Sequence, residues 1–420
     1  MIKIRTIPTI AVAALLLAAC SGAAQTEPPE DFGLTAADVE RITQPAVTKE
    51  QAQVLVEGMK GFAFDFYKAQ PAGENLVFSP HSLAQAFSML YAGARGTTAE
   101  EIAAVFGFLP DGSQHPAFNV LDLRLNDRPA NLEEGAEPFT LNIANSAWAQ
   151  DGFSIEEDFL QILGLHYGAG IHRVDFSTEP DATAERINRW VSDETQERIP
   201  ELFGPNDIKS STRLVIANAI YFKGQWEAPF LPSLTAGAPF HLSDGAIVTV
   251  DMMQTSAFLA YSLTGQFQAV RLPYRGSTIE MLVLVPNSGQ FNLVESQLSS
   301  EFLAKIPFAR GKIDLRMPRW DFESRPDLME ILPRMGMPTV FGGGADLSGI
   351  APGLFIGAAV HQANISVDEA GTEAAAATGI ALEESGPEAA IVIDRPFIFI
   401  IINRDTGAIL FMGRVFNPVD

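Results

Sequence analysis

The C-terminal segment limits the possible folds more than any other part of the sequence. Two long, mostly apolar runs, Ile391–Ile402 and Ala408–Phe416, flank the polar segment Asn403–Gly407. Runs rich in isoleucine and phenylalanine, joined by a short polar loop that contains a glycine, predict a buried β-hairpin. Any fold of this chain must therefore bury that hairpin.

Helical and strand patterns occupy different halves of the chain. Apolar residues recur near helical spacing in Gln51–Lys68 and around Ile187–Val191, which predicts two amphipathic helices. In the second half, apolar and charged residues alternate over Lys312–Met317, and Thr278–Val285 is a short, mostly apolar run; both are typical of strands. Because no repeat and no internal linker divides the chain, we predict one large α+β domain over residues 51–420.

Composition and charge exclude several classes of partner. The chain has 420 residues, 47% of them hydrophobic, which is typical of a globular protein. Its 51 acidic and 28 basic residues give a formal net charge of −23, without a basic patch in the sequence to offset it. Nucleic acid, heparin-like polyanions and acidic membrane surfaces are therefore disfavoured as partners.

The N-terminus has the pattern of an export signal. Lys3 and Arg5 precede an apolar stretch from Ile10 to Ala19, which ends before Cys20. The stretch is too short for a stable membrane span, so residues 1–19 are predicted to be a signal peptide. The motif LAAC at 17–20 also resembles the lipobox of bacterial lipoproteins, which implies cleavage before Cys20 and lipidation of its thiol.

Lipidation of Cys20 predicts attachment to the cell envelope. Residues 20–50 are polar and rich in proline, alanine and acidic residues, so we expect a flexible tether, within which LTAADVERI at 34–42 could form a short helix. Ser21 stands where an aspartate would oppose outer-membrane sorting, which favours the outer membrane if the host is a Gram-negative bacterium. The domain would then face the periplasm or the exterior. Because Cys20 is the only cysteine, no disulfide can form within the chain.

Catalytic motifs are absent from the sequence. It contains no nucleophile elbow, no His-Glu-x-x-His zinc helix and no Walker-type glycine loop. The six histidines, at positions 81, 115, 166, 172, 241 and 361, are too dispersed to predict a metal site. We therefore predict a protein that is not an enzyme and that needs neither a cofactor nor a metal.

Four long segments match a known family in order and spacing. They are NLVFSPHSLAQAFSMLYAGARGTTAEEI at 75–102, LVIANAIYFKGQWEAPF at 214–230, AAVHQANISVDEAGTEAAAATG at 358–379 and DRPFIFIIINRDTGAILFMGRVFNP at 394–418. They resemble the serpins, a family of serine protease inhibitors, and the resemblance extends over residues 51–420. It implies a helical cap around three β-sheets and an exposed reactive-centre loop at about 369–393. It also implies suicide inhibition: a protease cleaves the loop, and insertion of the loop into the main sheet traps the acyl-enzyme.

The resemblance places the hinge of the loop in a run of small and acidic residues. These are Glu369, Gly371, Thr372, Glu373, Ala374, Ala375, Ala376, Ala377 and Thr378. If this run forms a strand, alternate residues from Thr372 to Leu382 share one face, and all of them are uncharged. Glu373 and Glu383 lie on the opposite face. Such a strand could enter a sheet in one register, because a slip of one residue would bury both glutamates. The alternative is a flexible surface loop or an exposed helix with no mechanical role.

The family spacing places the cleaved bond at Ser385-Gly386. A small residue before the bond favours an elastase-like or subtilisin-like serine protease. The neighbouring bond Glu384-Ser385 is the alternative and would suit a glutamate-specific protease. Pro387 fixes the backbone just beyond both bonds and could discourage some enzymes.

Other positions match the family individually. The resemblance implies that four residues form the shutter, a buried polar network beneath the opening sheet: Ser79, Ser82, Asn218 and His361. Trp226 matches a packing tryptophan near the upper end of that sheet. Residues 111–140 contain only two basic residues, so no heparin-binding helix is predicted. We expect a monomeric protease inhibitor; the alternative is a non-inhibitory binding protein of the same fold.

Overall fold

The computed structural model describes residues 32–110, 112–126, 139–372 and 386–419. These residues belong to one compact unit that begins at Phe32. Most of the longer helices precede residue 195 and most of the strands follow it, so the predicted α+β class is confirmed.

Both kinds of element are well represented in the described ranges. The helices are α1 (Lys49–Lys68), α2 (Pro80–Tyr91), α3 (Gly96–Phe106), α4 (Gln114–Asn126), α5 (Glu157–Tyr167), α6 (Pro180–Glu194), α7 (Phe291–Gln297), α8 (Ser300–Ala304) and α9 (Leu328–Met335), with 3₁₀ turns at Pro232–Leu234 and Thr339–Phe341. The strands are β1 (Leu34–Thr35), β2 (Leu76–Phe78), β3 (Thr140–Gln150), β4 (Ile171–Val174), β5 (Leu214–Gln225), β6 (Ala236–His241), β7 (Ile247–Leu263), β8 (Phe267–Pro273), β9 (Ile279–Pro286), β10 (Ala309–Pro318), β11 (Trp320–Ser324), β12 (Ile356–Val367), β13 (Gly371–Thr372), β14 (Ala389–Val392), β15 (Phe397–Asn403) and β16 (Ile409–Val415).

Helix α1 begins at a capping box. The Gln51 backbone N–H donates to Thr48 Oγ1 at 3.1 Å, and the Thr48 N–H donates to Gln51 Oε1 at 3.0 Å, so two backbone donors at the helix start are paired. Phe62 and Phe66 lie on its buried face with ring centroids 5.4 Å apart. The predicted helix is confirmed, although Val54, one of its apolar residues, is 57% exposed.

The first sheet has seven strands in the order β1-β4-β3-β5-β13-β12-β11. Side chains of β5 alternate between its two faces: Leu214 and Ile216 join a core cluster with the helices α1–α5, whereas Val215 and Ala217 pack in a cluster with α6. The sheet is thus covered on both sides, and α6 lies on the face of β3 and β5.

The second sheet has nine strands, in the order β14-β10-β7-β8-β9-β15-β16-β2, with β6 paired to β7. The 17-residue strand β7 pairs with β6 in its first part, with β10 in its middle and with β8 at its end. The resemblance implied three sheets. The described residues form two sheets instead, because the continuous strand β7 pairs with β6, β10 and β8 and so places all of them in one sheet.

The C-terminal hairpin is formed by β15 and β16, which pair antiparallel from Phe397 opposite Val415. The predicted first strand, 391–402, is in fact two strands. β14 ends at Val392 and pairs with β10, and β15 begins only at Phe397. Pro396 lies in the break, where it has no backbone N–H to give to a ladder.

Residues 32–47, here called the N-terminal arm, lie against the domain. Leu34 and Thr35 add the edge strand β1 to β4. The Ile42 N–H donates to the Leu165 carbonyl at 2.9 Å, and Arg41 bonds Asp122 on α4 at 2.6 Å. The predicted boundary at residue 51 is therefore too late, and the possible short helix in 34–42 is instead a strand and an extended segment. Backbone pairing with β4 and α5 and the ion pair with α4, all with residues distant in sequence, hold this segment against the domain.

Loss of the Arg41 contacts should weaken the domain. Arg41 also donates to Asn119 Oδ1 at 2.9 Å, and its pairing with Asp122 is mostly shielded from water. We expect Arg41→Met to lower the free energy of unfolding in urea by roughly 1–2 kcal/mol. The control is Arg334→Met, which removes an exposed pair with Glu330 and should cost less than about 0.5 kcal/mol. Equal losses would contradict a stabilising role of the arm.

Candidate functional site

The seven-stranded sheet contains a fork between β5 and β12. These parallel strands bond directly from Ile356 opposite Leu214 to Ala363 opposite Ile220. Beyond that point β13 lies between them and runs antiparallel to both: Thr372 is opposite Gly224 on β5 and opposite Val367 on β12. Gly371 and Thr372, near the start of the predicted loop, are thus already strand residues inside the sheet.

A tight turn connects β12 to β13. Asp368 Oδ1 accepts hydrogen bonds from the N–H groups of Ala370 and Gly371, at 2.8 and 3.1 Å, and the Asp368 N–H donates to the Gly371 carbonyl at 2.9 Å. A Cβ atom at Gly371 would collide with the carbonyl oxygen of Gly224, so only glycine fits this point. Close contact with the backbone of β5 therefore explains why the predicted hinge has glycine at position 371.

Aromatic residues hold the turn and Thr372 in place. Trp226 stacks on Tyr274 with ring centroids 4.5 Å apart, and its Nε1–H donates to the Asp368 carbonyl at 3.1 Å. Thr372 is buried, and its hydroxyl bonds the Tyr274 hydroxyl at 2.8 Å. Burial raises the pKa of Tyr274, so its hydroxyl stays protonated. The contacts of Trp226 are those of a packing residue.

Glu369 is anchored beside the hinge by Arg319. The Arg319 Nε and Nη2 groups donate to the two carboxylate oxygens at 2.9 and 2.6 Å, and the Thr235 hydroxyl also donates to Glu369 Oε1. Burial alone would raise the pKa of Glu369, but these hydrogen bonds outweigh it and leave the pKa lowered. The bond to Glu369 likewise raises the pKa of Arg319. A bidentate salt bridge therefore fixes the start of the hinge.

The four predicted shutter residues come together in one buried network. Asn218 on β5 is directly opposite His361 on β12 and opposite Asn145 on β3. The Asn218 amide donates to the Ser82 carbonyl at 3.0 Å and to Ser82 Oγ at 2.7 Å, and it also bonds Asn145. A row of polar side chains thus crosses three strands beneath the N-terminus of α2.

His361 links the two strands that border the fork. Its Nε2 accepts the Ser79 N–H at 3.1 Å, so its Nδ1–H donates to Asn218 Oδ1 across the strand boundary. Ser79 in turn caps α2, because its Oγ accepts the Ser82 N–H at 3.1 Å. Complete burial lowers the pKa of His361 to about 3, so the ring is neutral at neutral pH.

Some predicted site residues lie outside the described residues. These are Glu373, Ala374, Ala375, Ala376, Ala377 and Thr378 of the hinge, Glu384 and Ser385 at the candidate bonds, and Cys20. The description resumes at Gly386, which is exposed, and continues into β14.

Three residues of the site were not identified from the sequence: Asn145, Tyr274 and Arg319. Asn145 could have been noticed as an amide on the face of β3 that also holds Ile143 and Ala147. Tyr274 and Arg319 gave no comparable signal, since their partners are 98 and 50 residues away in the chain.

Two other kinds of site were sought in the same ranges. No group of three or more metal-ligating side chains is found among the residues that the structure describes. Within those residues, no helix combines the length and apolar character needed to cross a membrane.

Comparisons with known proteins identify the class. A family model described as serpin (serine protease inhibitor) matches residues 57–418. An uncharacterized serpin-like protein of Thermococcus kodakarensis is 36% identical over 434 residues, covering 99% of each chain. Leukocyte elastase inhibitor of Bos taurus is 36% identical over 377 residues, covering 85% of this chain and 97% of that protein. The solved structure of human thyroxine-binding globulin with thyroxine matches with a TM-score of 0.80 and 29% identity, covering 88% of this chain and 99% of that one.

The structure is an α+β fold whose predicted loop begins within the seven-stranded sheet. The chain belongs to the serpin family. The family and the fold that the sequence resemblance implied are thereby confirmed.

The buried histidines predict an acid-sensitive fold. Burial lowers the pKa of His361 to about 3 and those of His81 and His115 to about 4, against 6.5 ordinarily. The unfolded chain therefore takes up protons first as the pH falls. The stability that depends on neutral histidines is complete above about pH 6.5 and is lost as the pH falls toward 3.

We expect His361→Gln to flatten this dependence. The slope of the unfolding free energy between about pH 6 and 4 should decrease by up to about 1.4 kcal/mol per pH unit, since one titrating group is removed. Urea titrations at several pH values measure it. The control is the same substitution at an exposed position, His241→Gln. A slope in His361→Gln equal to that of the wild type would contradict the assignment.

Proposed function

We propose that the protein inhibits a serine protease by inserting its cleaved loop between β5 and β12. The observation that carries this proposal is the position of β13. Gly371 and Thr372 are already paired in the fork, so insertion can continue along strands that diverge at that point. The loop residues that follow are mostly small, and both of their charges up to residue 383, on Glu373 and Glu383, fall on one face of a strand in the same register.

The change in hydrogen bonding favours insertion. An inserted strand would replace the parallel ladder between β5 and β12, which covers Leu214–Ile220 and Ile356–Ala363, with two antiparallel ladders. If about ten backbone hydrogen bonds are gained at about 1 kcal/mol each, the gain is roughly 10 kcal/mol. A protease attached to the moving end through an acyl bond would be displaced and distorted by a change of that size.

The network around His361 would act as the latch of this transition. Its bond to Asn218 crosses the boundary that an inserted strand must open, so the bond has to break before insertion proceeds. Because both groups are buried, leaving them unpaired would cost free energy. The closed sheet is thereby held until cleavage releases the loop.

The target we propose is an elastase-like or subtilisin-like serine protease that cleaves Ser385-Gly386. The small residue before the bond supports this choice, as does the similarity to a leukocyte elastase inhibitor. Cleavage at Glu384-Ser385 by a glutamate-specific protease is the alternative. Mass spectrometry of the cleaved loop distinguishes the two bonds.

A complex that survives SDS and heating is the expected result with a susceptible protease. Cleaved protein should also unfold at a markedly higher temperature than intact protein, because its loop has become a strand. Thr372→Arg should convert the inhibitor into a substrate, since Thr372 is buried against Tyr274 and an arginine there would bury an unpaired charge. Thr372→Ser keeps the hydroxyl and serves as the control.

The competing function is that of a non-inhibitory binding protein, which the similarity to thyroxine-binding globulin favours. In that case cleavage would bring no gain in stability, and Thr372→Arg would leave binding intact. Turnover without a trapped complex by all three protease classes would rule out inhibition of those classes.

We also propose that Cys20 attaches the protein to the cell envelope. The lipobox-like LAAC motif and the single cysteine support this. Cys20→Ala should move the protein from the membrane fraction to the soluble fraction, as followed by immunoblotting of fractionated cells. Ser21→Ala, next to it, should stay with the membranes. Unchanged retention of the Cys20 variant would contradict the anchor.

A further inference from the structure

One aromatic side chain of the second sheet is exposed to solvent. Phe258 on β7 is 69% exposed, more than any other large apolar residue in the described ranges. It is directly opposite Lys312 on β10. A single exposed apolar side chain is common and does not by itself mark a contact surface, but aromatic residues are enriched in the contact surfaces between proteins.

Basic residues surround this ring. On β10, Ile313, Leu315 and Met317 point into the core, so the alternating residues Lys312 and Arg316 share the outer face with Phe258, together with Arg310. Arg310 and Arg316 are exposed, and no ion pair among the described residues involves either of them. We call Phe258, Arg310, Lys312 and Arg316 the basic aromatic face.

The basic aromatic face differs in sign from the rest of the molecule. The chain has a net charge of −23, and its sequence suggested no basic patch. Three cations nevertheless lie on one side of a single strand. The acidic residues beside them are Asp314 on β10 and Glu388, whose carboxylate lies against Gly311. A local positive region on an acidic protein orients a partner whose own surface is acidic.

The face adjoins the point where the reactive loop ends. β14 pairs in parallel with β10 from Ala389 opposite Ile313, and the Glu388 N–H donates to the Lys312 carbonyl at 2.8 Å. Gly386 precedes Ala389 by three residues, a span of at most about 10 Å. A protease bound at Ser385-Gly386 must therefore lie over this end of β10.

We propose that the basic aromatic face is a second docking surface for the target protease. The partner fits if it has acidic side chains beside its active-site cleft, on the side that binds residues after the cut, and a small apolar recess for the Phe258 ring. The identity of the partner rests on the proposed function. The surface would recognise the protease through arginine and aromatic contacts, which dominate protein interfaces.

Charge and shape favour a protein over a polyanion or a lipid surface. The three cations are accompanied by Asp314 and Glu388, and the surrounding molecule is strongly acidic, which repels an extended polyanion or an anionic bilayer. A compact protein can contact the face without approaching the acidic remainder.

The test compares surface variants in loop cleavage and in complex formation. Phe258→Ser should lower kcat/KM for loop cleavage about tenfold, and Arg310→Glu with Arg316→Glu about 10- to 100-fold. For the wild type the rate should fall between about 20 and 300 mM salt, and the double variant should lose that dependence. Val54→Ser and Lys305→Glu, exposed on α1 and next to α8, are the matched controls and should leave both quantities unchanged. Thermal unfolding checks that every variant is folded.

Cleavage kinetics separate this inference from the proposed function. If the wild type is cleaved without forming a complex, inhibition fails, yet a loss of kcat/KM in the variants still supports the docking surface. Variant rates equal to those of the controls, for every protease that cleaves the loop, would overturn it. A second result would also overturn the docking surface. The wild type would bind heparin or phosphatidylserine vesicles, and the double variant would lose that binding while it kept its cleavage rates.

Discussion

The structure depends on the pairing between β5 and β12. Over part of their length these strands satisfy each other's backbone groups, and beyond it Gly371 and Thr372 take that role. Buried backbone groups must be paired, so the strands can separate further only if another strand enters as they part. In the proposed function, this requirement would direct the cleaved loop into the fork.

In the proposed function, the elements around the fork would control insertion of the loop. Trp226, Tyr274 and the ion pair of Glu369 with Arg319 hold the open end, while His361 and Asn218 close the sheet farther along. Packing of α6 on β3 and β5 covers the same region from the other side. Polar contacts thus hold both ends of the region between β5 and β12, and apolar contacts cover it.

Periodicity predicted the helices and strands well, because apolar spacing follows directly from the geometry of each element. It failed where long-range contacts or backbone chemistry prevailed. Arg41 bonds Asp122, which is 81 residues away in the chain, and helps to hold an arm whose composition suggested a flexible segment. Pro396 divides an apolar run that alternation alone would continue. The shutter positions came from family resemblance, since their distances along the chain give no local pattern.

The sequence by itself determined the α+β class, the buried hairpin, the small residues of the hinge and the family. Tertiary structure alone decided which side chains meet. Strand register places Asn145, Asn218 and His361 in one row and brings Phe258 beside the cations of β10. The physical reason is that alternation fixes which face a residue occupies, whereas only the pairing of distant strands fixes its neighbours.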